Sequence, residues 1–206
     1  MQILALSDSH GQFPSLDTLP DADVLIHCGD WTNWGLEQGD QEFDRVSQWV
    51  MRAVQRYPHI LSIPGNHDIG LRNHHFDKLG AVGLDGKTWV HPNGTSFHGV
   101  ALTPAYDIPS FVTIWDHMTL NPQAEAAAWD FEPVDVVVAH GPPKGYLDRV
   151  GSRHPGSSEA LRYIKTHQPK LYLCGHIHEG VGEVLVGKTR VVNVAEQVRL
   201  IELDLS

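Results

Sequence analysis

Val24-Leu25-Ile26-His27-Cys28-Gly29-Asp30 runs an unbroken apolar segment into a glycine turn and a carboxylate. The same arrangement returns at Ile60-Leu61-Ser62-Ile63-Pro64-Gly65-Asn66-His67-Asp68. Continuous rather than alternating apolarity marks strands covered on both faces. Between the two, Asp40 to Tyr57 places Phe43, Val46, Val50 and Val54 at steps of three and four among polar residues, the stripe of an amphipathic helix. The unit is therefore strand, helix, strand. Ile3 to Leu6, Val134 to Ala139 and Leu171 to Cys174 are further buried-strand candidates. Pro122 to Trp129, with Asn121 as its cap, and Ser158 to His167, carrying Leu161 and Ile164, are further helices.

The pattern changes at Lys87 to Leu102, where Trp89-Val90 and Ser96 onward flank His91-Pro92-Asn93-Gly94, a hairpin signal. A strand-rich tail follows in Val181 to Val186, Arg190 to Val194 and Val198 to Leu203. Parallel units in the first half with hairpins in the middle and at the end predict an α/β protein, two packed sheets with helices outside. At 206 residues and 41% hydrophobic, the chain suits one domain spanning residues 1–206.

Acidic residues number 25 against 15 basic, a formal net charge of -10, which argues against duplex nucleic acid or an anionic membrane surface as partner. A small phosphate ester is compatible, because bound cations would offset carboxylates locally. Cys28 and Cys174 each end an apolar run and read as buried thiols in a reduced setting. With no basic leader and no long apolar segment, the expectation is a cytoplasmic protein.

Five segments carry chemistry: Asp8-Ser9-His10, Gly29-Asp30, Gly65-Asn66-His67-Asp68, His140-Gly141 and Gly175-His176-Ile177-His178. Each follows an apolar run, so their oxygen and nitrogen donors should converge at one sheet edge, enough for two metal ions. Asp8 and His10, one residue apart, can share an ion, and His176 and His178 project to one side as a His-x-His pair, a common but unspecific metal signature. Asn66 offers a neutral amide oxygen that limits the negative charge of the site, and Gly141-Pro142-Pro143 stiffens the loop after His140. Taken singly, each segment is equally a strand-end turn.

Together these segments resemble the calcineurin-like metallophosphoesterase superfamily over nearly the whole chain. His27 to Gly35, His140 to Asp148 and Cys174 to Gly180 resemble its metallophosphoesterase-domain-containing (brain-type 239) branch. The resemblance implies a two-sheet β-sandwich flanked by helices, the four-layer αββα metallophosphoesterase fold. It implies one ion held by Asp8, His10, Asp30 and His178, and a second by Asp30, Asn66, His140 and His176, with Asp30 bridging. The ions would be divalent or trivalent, drawn from Mn, Fe, Zn or Co. The implied reaction is phosphodiester hydrolysis by attack of a metal-bound hydroxide, with cyclic nucleotides the substrate suggested by the branch. His67 would protonate or stabilise the leaving oxygen, and Asp68 would hold its other ring nitrogen. The alternatives are a phosphomonoesterase or nucleotidase with the same metals, or a weakly active nucleotide-binding scaffold.

One departure bears on the substrate. Where phosphoprotein phosphatases of the superfamily follow the bridging aspartate with Asp-Arg-Gly, this chain has Trp31-Thr32-Asn33-Trp34-Gly35. Losing that arginine removes a clamp for a dianionic monoester and leans the chain toward diesters, although Arg72, Lys144, Arg149 or Arg153 could reach in from flanking loops. Trp31 and Trp34 are candidates to stack a nucleobase, one of them being expected in the core instead. His74, His75 and His98 read mainly as surface or hairpin residues, and His27, His59 and His167 as solvent or strand-end residues. Gln197 to Leu203 and the hairpin near Asn93 could form a dimer edge, yet composition leaves the oligomeric state open.

Overall fold

The computed structural model describes residues 1–36, 41–105 and 116–204. In chain order its strands are β1 (Gln2–Leu6), β2 (Val24–His27), β3 (His59–Ser62), β4 (Val82–Gly83), β5 (Thr88–Val90), β6 (Ser96–Val100), β7 (Thr103–Pro104), β8 (Met118–Thr119), β9 (Val136–Ala139), β10 (Leu171–Cys174), β11 (Gly182–Val186), β12 (Thr189–Asn193) and β13 (Val198–Glu202). The helices are α1 (Gln41–Ala53), α2 (Asn73–Lys78), α3 (Pro122–Ala128) and α4 (Ser158–His167). One sheet runs β13-β1-β2-β3-β4 and the other β11-β12-β10-β9-β6-β5, with β7 and β8 a separate short pair.

The unbroken apolar runs are explained by burial on both faces. Ile3, Ala5, Val24, Ile26 and Leu61 of the first sheet meet Val136, Val138, Leu171 and Leu173 of the second in the central layer. Their alternate neighbours Leu4, Leu6, Leu25 and Ile60 pack outward on Val46, Trp49 and Val50 of α1. On the opposite side Val137, Tyr172 and Cys174 pack on Ala160, Tyr163 and Ile164 of α4. Helix, sheet, sheet, helix is the layering that results.

The helix caps follow local chemistry. Asn121 Oδ1 accepts from the amides of Gln123 and Ala124 ahead of Pro122, and Ser157 accepts from Ala160 N. Helix α1 is described from Gln41, so Asp40, where the sequence pattern starts the helix, lies outside the described residues. The second sheet is more parallel than the hairpin signals suggest. β9 lies parallel to β6 and β10, and β10 parallel to β12, because the β11–β12 hairpin folds back beside β10. No helix among the described residues is long and apolar enough to cross a membrane.

This topology positions the site. β1, β2 and β3 are mutually parallel, as are β9 and β10, so five carboxyl-terminal strand ends meet along one edge of the sandwich.

Candidate metal centre

Beyond β1 and β2 the loops remain laced together. Asp8 N donates to Gly29 O at 2.9 Å, His10 N to Asp30 O at 3.0 Å and Gly11 N to Trp31 O at 2.7 Å. The lacing requires left-handed backbone at Asp8 (φ 56°), His10 (φ 47°) and Asp30 (φ 57°), and His176 is likewise left-handed (φ 66°). Such strain costs about 1–3 kcal/mol per residue and persists where the surroundings over-determine it, as at functional sites.

The two sheets meet through these side chains. His176 N donates to both oxygens of Asp8, at 3.1 and 3.0 Å, and His178 Nε2 lies 3.2 Å from Asp8 Oδ1. His140 Nδ1 donates to Cys28 O at 2.8 Å, which leaves Nε2 facing Asn66 Oδ1 at 2.9 Å and Asp30 Oδ2 at 3.4 Å. Fixing one imidazole nitrogen on a carbonyl while aiming the other inward is what a metal ligand requires.

Asp8, His10 and His178 form one donor group and Asp30, His140 and His176 another, each with ligand atoms within 4.8 Å of one another. A third grouping, His10, Asp30 and His67, overlaps both. His10 Nδ1 is buried without a hydrogen-bond partner among the described residues. Two buried carboxylates, converging imidazoles and a neutral amide oxygen suit a transition-metal cation of intermediate softness. All seven sequence-derived ligand candidates are therefore brought together, Asp30 belonging to the second group and joined to the first through its grouping with His10 and His67.

The charges are strongly coupled. Burial would raise Asp8, but its bond to His178 and the charge of His140 bring it down. Asp30 likewise sits below the usual carboxylate range because the His140 charge outweighs its burial. Burial works against a charged His140, yet Asp30 raises it to about 9. His176, buried and beside His140, falls to about 4, while the bond to Asp8 raises His178.

His67 lies at this centre, its ring centroid 4.8 Å from that of His10 and its amide donating to Asp30 Oδ1 at 2.8 Å. Its Nδ1 pairs with the carbonyl oxygen of Asn33 at 3.0 Å, not with Asp68. Asp68 is fully buried and accepts from Trp31 N, Thr32 N, Thr32 Oγ1 and Gly65 N at 2.8–3.1 Å. The expected pairing with its neighbour fails because those donors turn the carboxylate inward, where it ties the Asp30 loop to the Asn66 loop.

Burial also decides the other aromatic candidates. Trp31 is inaccessible and stacks on His27 at 3.6 Å, whereas Trp34 is 41% exposed. His27 ends β2 but is buried rather than solvent-facing. It pairs with Ser9 Oγ at 2.7 Å beneath the Asp8–His10 loop, and burial lowers its pKa to about 3. Nothing in the local sequence distinguishes it from a surface strand end. His98 is buried against Phe131 and paired with Thr88, His74 is exposed, and His75 serves the start of α2.

Arg72 pairs with Asp116 at 2.9 Å, Arg149 Nε donates to Gly151 O, and Lys144 and Arg153 line a cavity with Glu125 and His154. A groove of about 220 Å³ beside Asp8 and His10 is lined by Ser9, Gln12, Glu196 and Gln197 among others, with no Lys or Arg among the described residues.

The family model described as calcineurin-like phosphoesterase matches residues 1–180. The chain is 30% identical over 212 residues to UPF0046 protein K07C11.7 of Caenorhabditis elegans, covering 95% of this chain and 70% of the worm protein. It is 26% identical over 221 residues to human metallophosphoesterase domain-containing protein 1, covering 94% of this chain and 65% of that protein. Among solved structures, TT1561 of Thermus thermophilus is similar with a TM-score of 0.55 at 18% identity, covering 94% of this chain and 88% of that one. On the match along residues 1–180, the chain belongs to the calcineurin-like phosphoesterase family.

Proposed function

We propose that the chain is a dinuclear metal-dependent phosphodiesterase acting on small phosphodiesters, cyclic nucleotides being the first class to test. The observation that carries this reading is that Asp30 shares one donor grouping with His140 and His176 and another with His10 and His67. Asp8, His10, Asp30 and His178 would hold one ion, and Asp30, Asn66, His140 and His176 the other. Manganese is the first metal to supply. Two such ions, when bound, provide Lewis-acid stabilisation of phosphoryl charge and acidify water at neutral pH.

The chain's own residues do the rest. His67 donates Nδ1–H to Asn33 O, so delivery of a proton to the leaving oxygen falls to Nε2. Asp30 Oδ1 holds the His67 amide and thereby sets the distance between imidazole and centre. The groove without lysine or arginine favours a monoanionic diester over a dianionic monoester. Trp34, exposed in the loop after Asp30, can stack a base, a contact worth about 1–3 kcal/mol in nucleic-acid binders. Two buried free thiols fit a reducing, cytoplasmic setting.

The test compares a bis-aryl phosphate diester with its mono-aryl ester in Mn²⁺-loaded protein, with Asp30→Ala alongside and metal content measured in both. The expected result is diester preference, two ions per chain, and loss of metal and nearly all turnover in the variant. Faster monoester turnover would move the assignment to a nucleotidase. Tight nucleotide binding without turnover would move it to a scaffold.

A further inference from the structure

Glu42 lies in the first turn of α1, beside the loop that follows Asp30. Its Oε2 accepts from Asn33 N at 3.0 Å and Trp34 N at 3.1 Å, and its Oε1 accepts from Asn33 Nδ2 at 3.0 Å. Asn33 Nδ2 also donates to His10 O at 2.9 Å, so one side-chain amide ties a ligand loop to the helix. The carbonyl oxygen of this same Asn33 receives His67 Nδ1–H. Partial burial works against the Glu42 charge, but the Asn33 side chain and the two amides outweigh it and keep the carboxylate ionised.

We propose that Glu42 is a positioning residue for His67, holding the Asn33 peptide so that its carbonyl fixes the Nδ1–H tautomer and aims Nε2 at the leaving oxygen. The proposal rests on the phosphoesterase reading for its kinetic consequence but not for its structural one. In the reaction, the ring takes a proton from solvent at Nε2 and gives it to the leaving oxygen as that oxygen's bond to phosphorus breaks, which leaves the ring neutral with Nδ1–H still on Asn33 O.

General support of the loop is supplied from the other side. Asp68 accepts from Thr32 N and Thr32 Oγ1, and Gly35 N donates to Thr32 Oγ1. Removing Glu42 therefore takes away the acceptors of Asn33 N, Asn33 Nδ2 and Trp34 N, while the Asp68 bonds of Trp31 and Thr32 are kept.

The experiment uses Glu42→Ala, with Glu42→Gln as a milder variant that keeps one accepting oxygen should the alanine variant fail to fold. Nitrogen-15 spectra of histidine-labelled, chelator-treated protein read the His67 tautomer directly. The expected result is Nδ1–H in the unaltered protein, a tautomer mixture in Glu42→Ala and an intermediate state in Glu42→Gln. In Mn²⁺-loaded protein, Glu42→Ala should slow diesters with alkyl leaving groups by about tenfold or more while changing nitrophenyl diesters by less than about threefold, since a good leaving group needs little proton donation. In a His67→Ala background it should add no further loss. An unchanged His67 tautomer overturns the proposal, and so does equal slowing of both leaving groups. If the unaltered protein hydrolyses neither ester, the phosphoesterase reading fails while the tautomer still decides the role of Glu42.

Discussion

A methyl group at position 175 would overlap Ser7 Oγ and Asp8 Oδ2, so the absent side chain of Gly175 is the space that the Asp8 carboxylate fills. Gly175→Ala must displace that carboxylate from His176 N and His178. Overpacking of this kind costs about 1–3 kcal/mol, and the expected outcome in a thermal melt and a metal titration is a lower Tm together with a disproportionate loss of metal affinity. Asp68 gives a contrasting case. Asp68→Asn places an NH₂ group against amide donors, and leaving such donors unsatisfied costs roughly 1–3 kcal/mol each. Urea unfolding should show a lower midpoint with an unchanged slope, while the His67 tautomer persists, because Asn33 and not Asp68 holds that ring. That pairing was illegible in the sequence for a plain reason: a backbone carbonyl acceptor has no residue signature, whereas an adjacent aspartate suggests a dyad that the fold does not build.

Among the elements, those with a repeated physical signature were the legible ones. Helix α1 buries Val46, Trp49, Val50 and Ala53 at helical spacing, and β1, β2, β9 and β10 bury both faces. Val50 is inaccessible between α1 and the first sheet. Val50→Ala should therefore cost about 2 kcal/mol by analogy with other core truncations, read as a shift in urea midpoint, and should leave metal stoichiometry unchanged. Helix α2 spans six residues with Phe76 as its one buried side chain, too little to show a period. Strands β4, β7 and β8 have two residues each and exist because neighbouring strands pair with them. Elements of that size are set by tertiary contacts rather than by local pattern.

Across the whole molecule, metal binding should couple to pH and to stability. His140 is held protonated up to about 9 by Asp30, so a metal entering through Nε2 displaces that proton. The sign follows: apparent metal affinity rises as pH increases through neutrality toward about 9 and weakens as acid restores the imidazolium. Competition titrations across that range check it. Any ion that binds the native chain alone also raises Tm by mass action, so chelation should lower Tm, and less so for Asp30→Ala. The clustering of the candidate ligands was legible because each lies just past an apolar strand. The depth of His27 was not, because it depends on Ser9 arriving from the loop after β1 and on Trp31 folding back over the ring from the loop after β2.

The donors come from both sheets and from distant parts of the chain, Asp8 meeting His176 and His178 across 168 and 170 residues. The proposed donor set is therefore complete only once β10 has docked beside β9 and brought His176 and His178 to Asp8. Under the proposed ligand set, retention of metal would therefore report that the two halves of the chain have found each other.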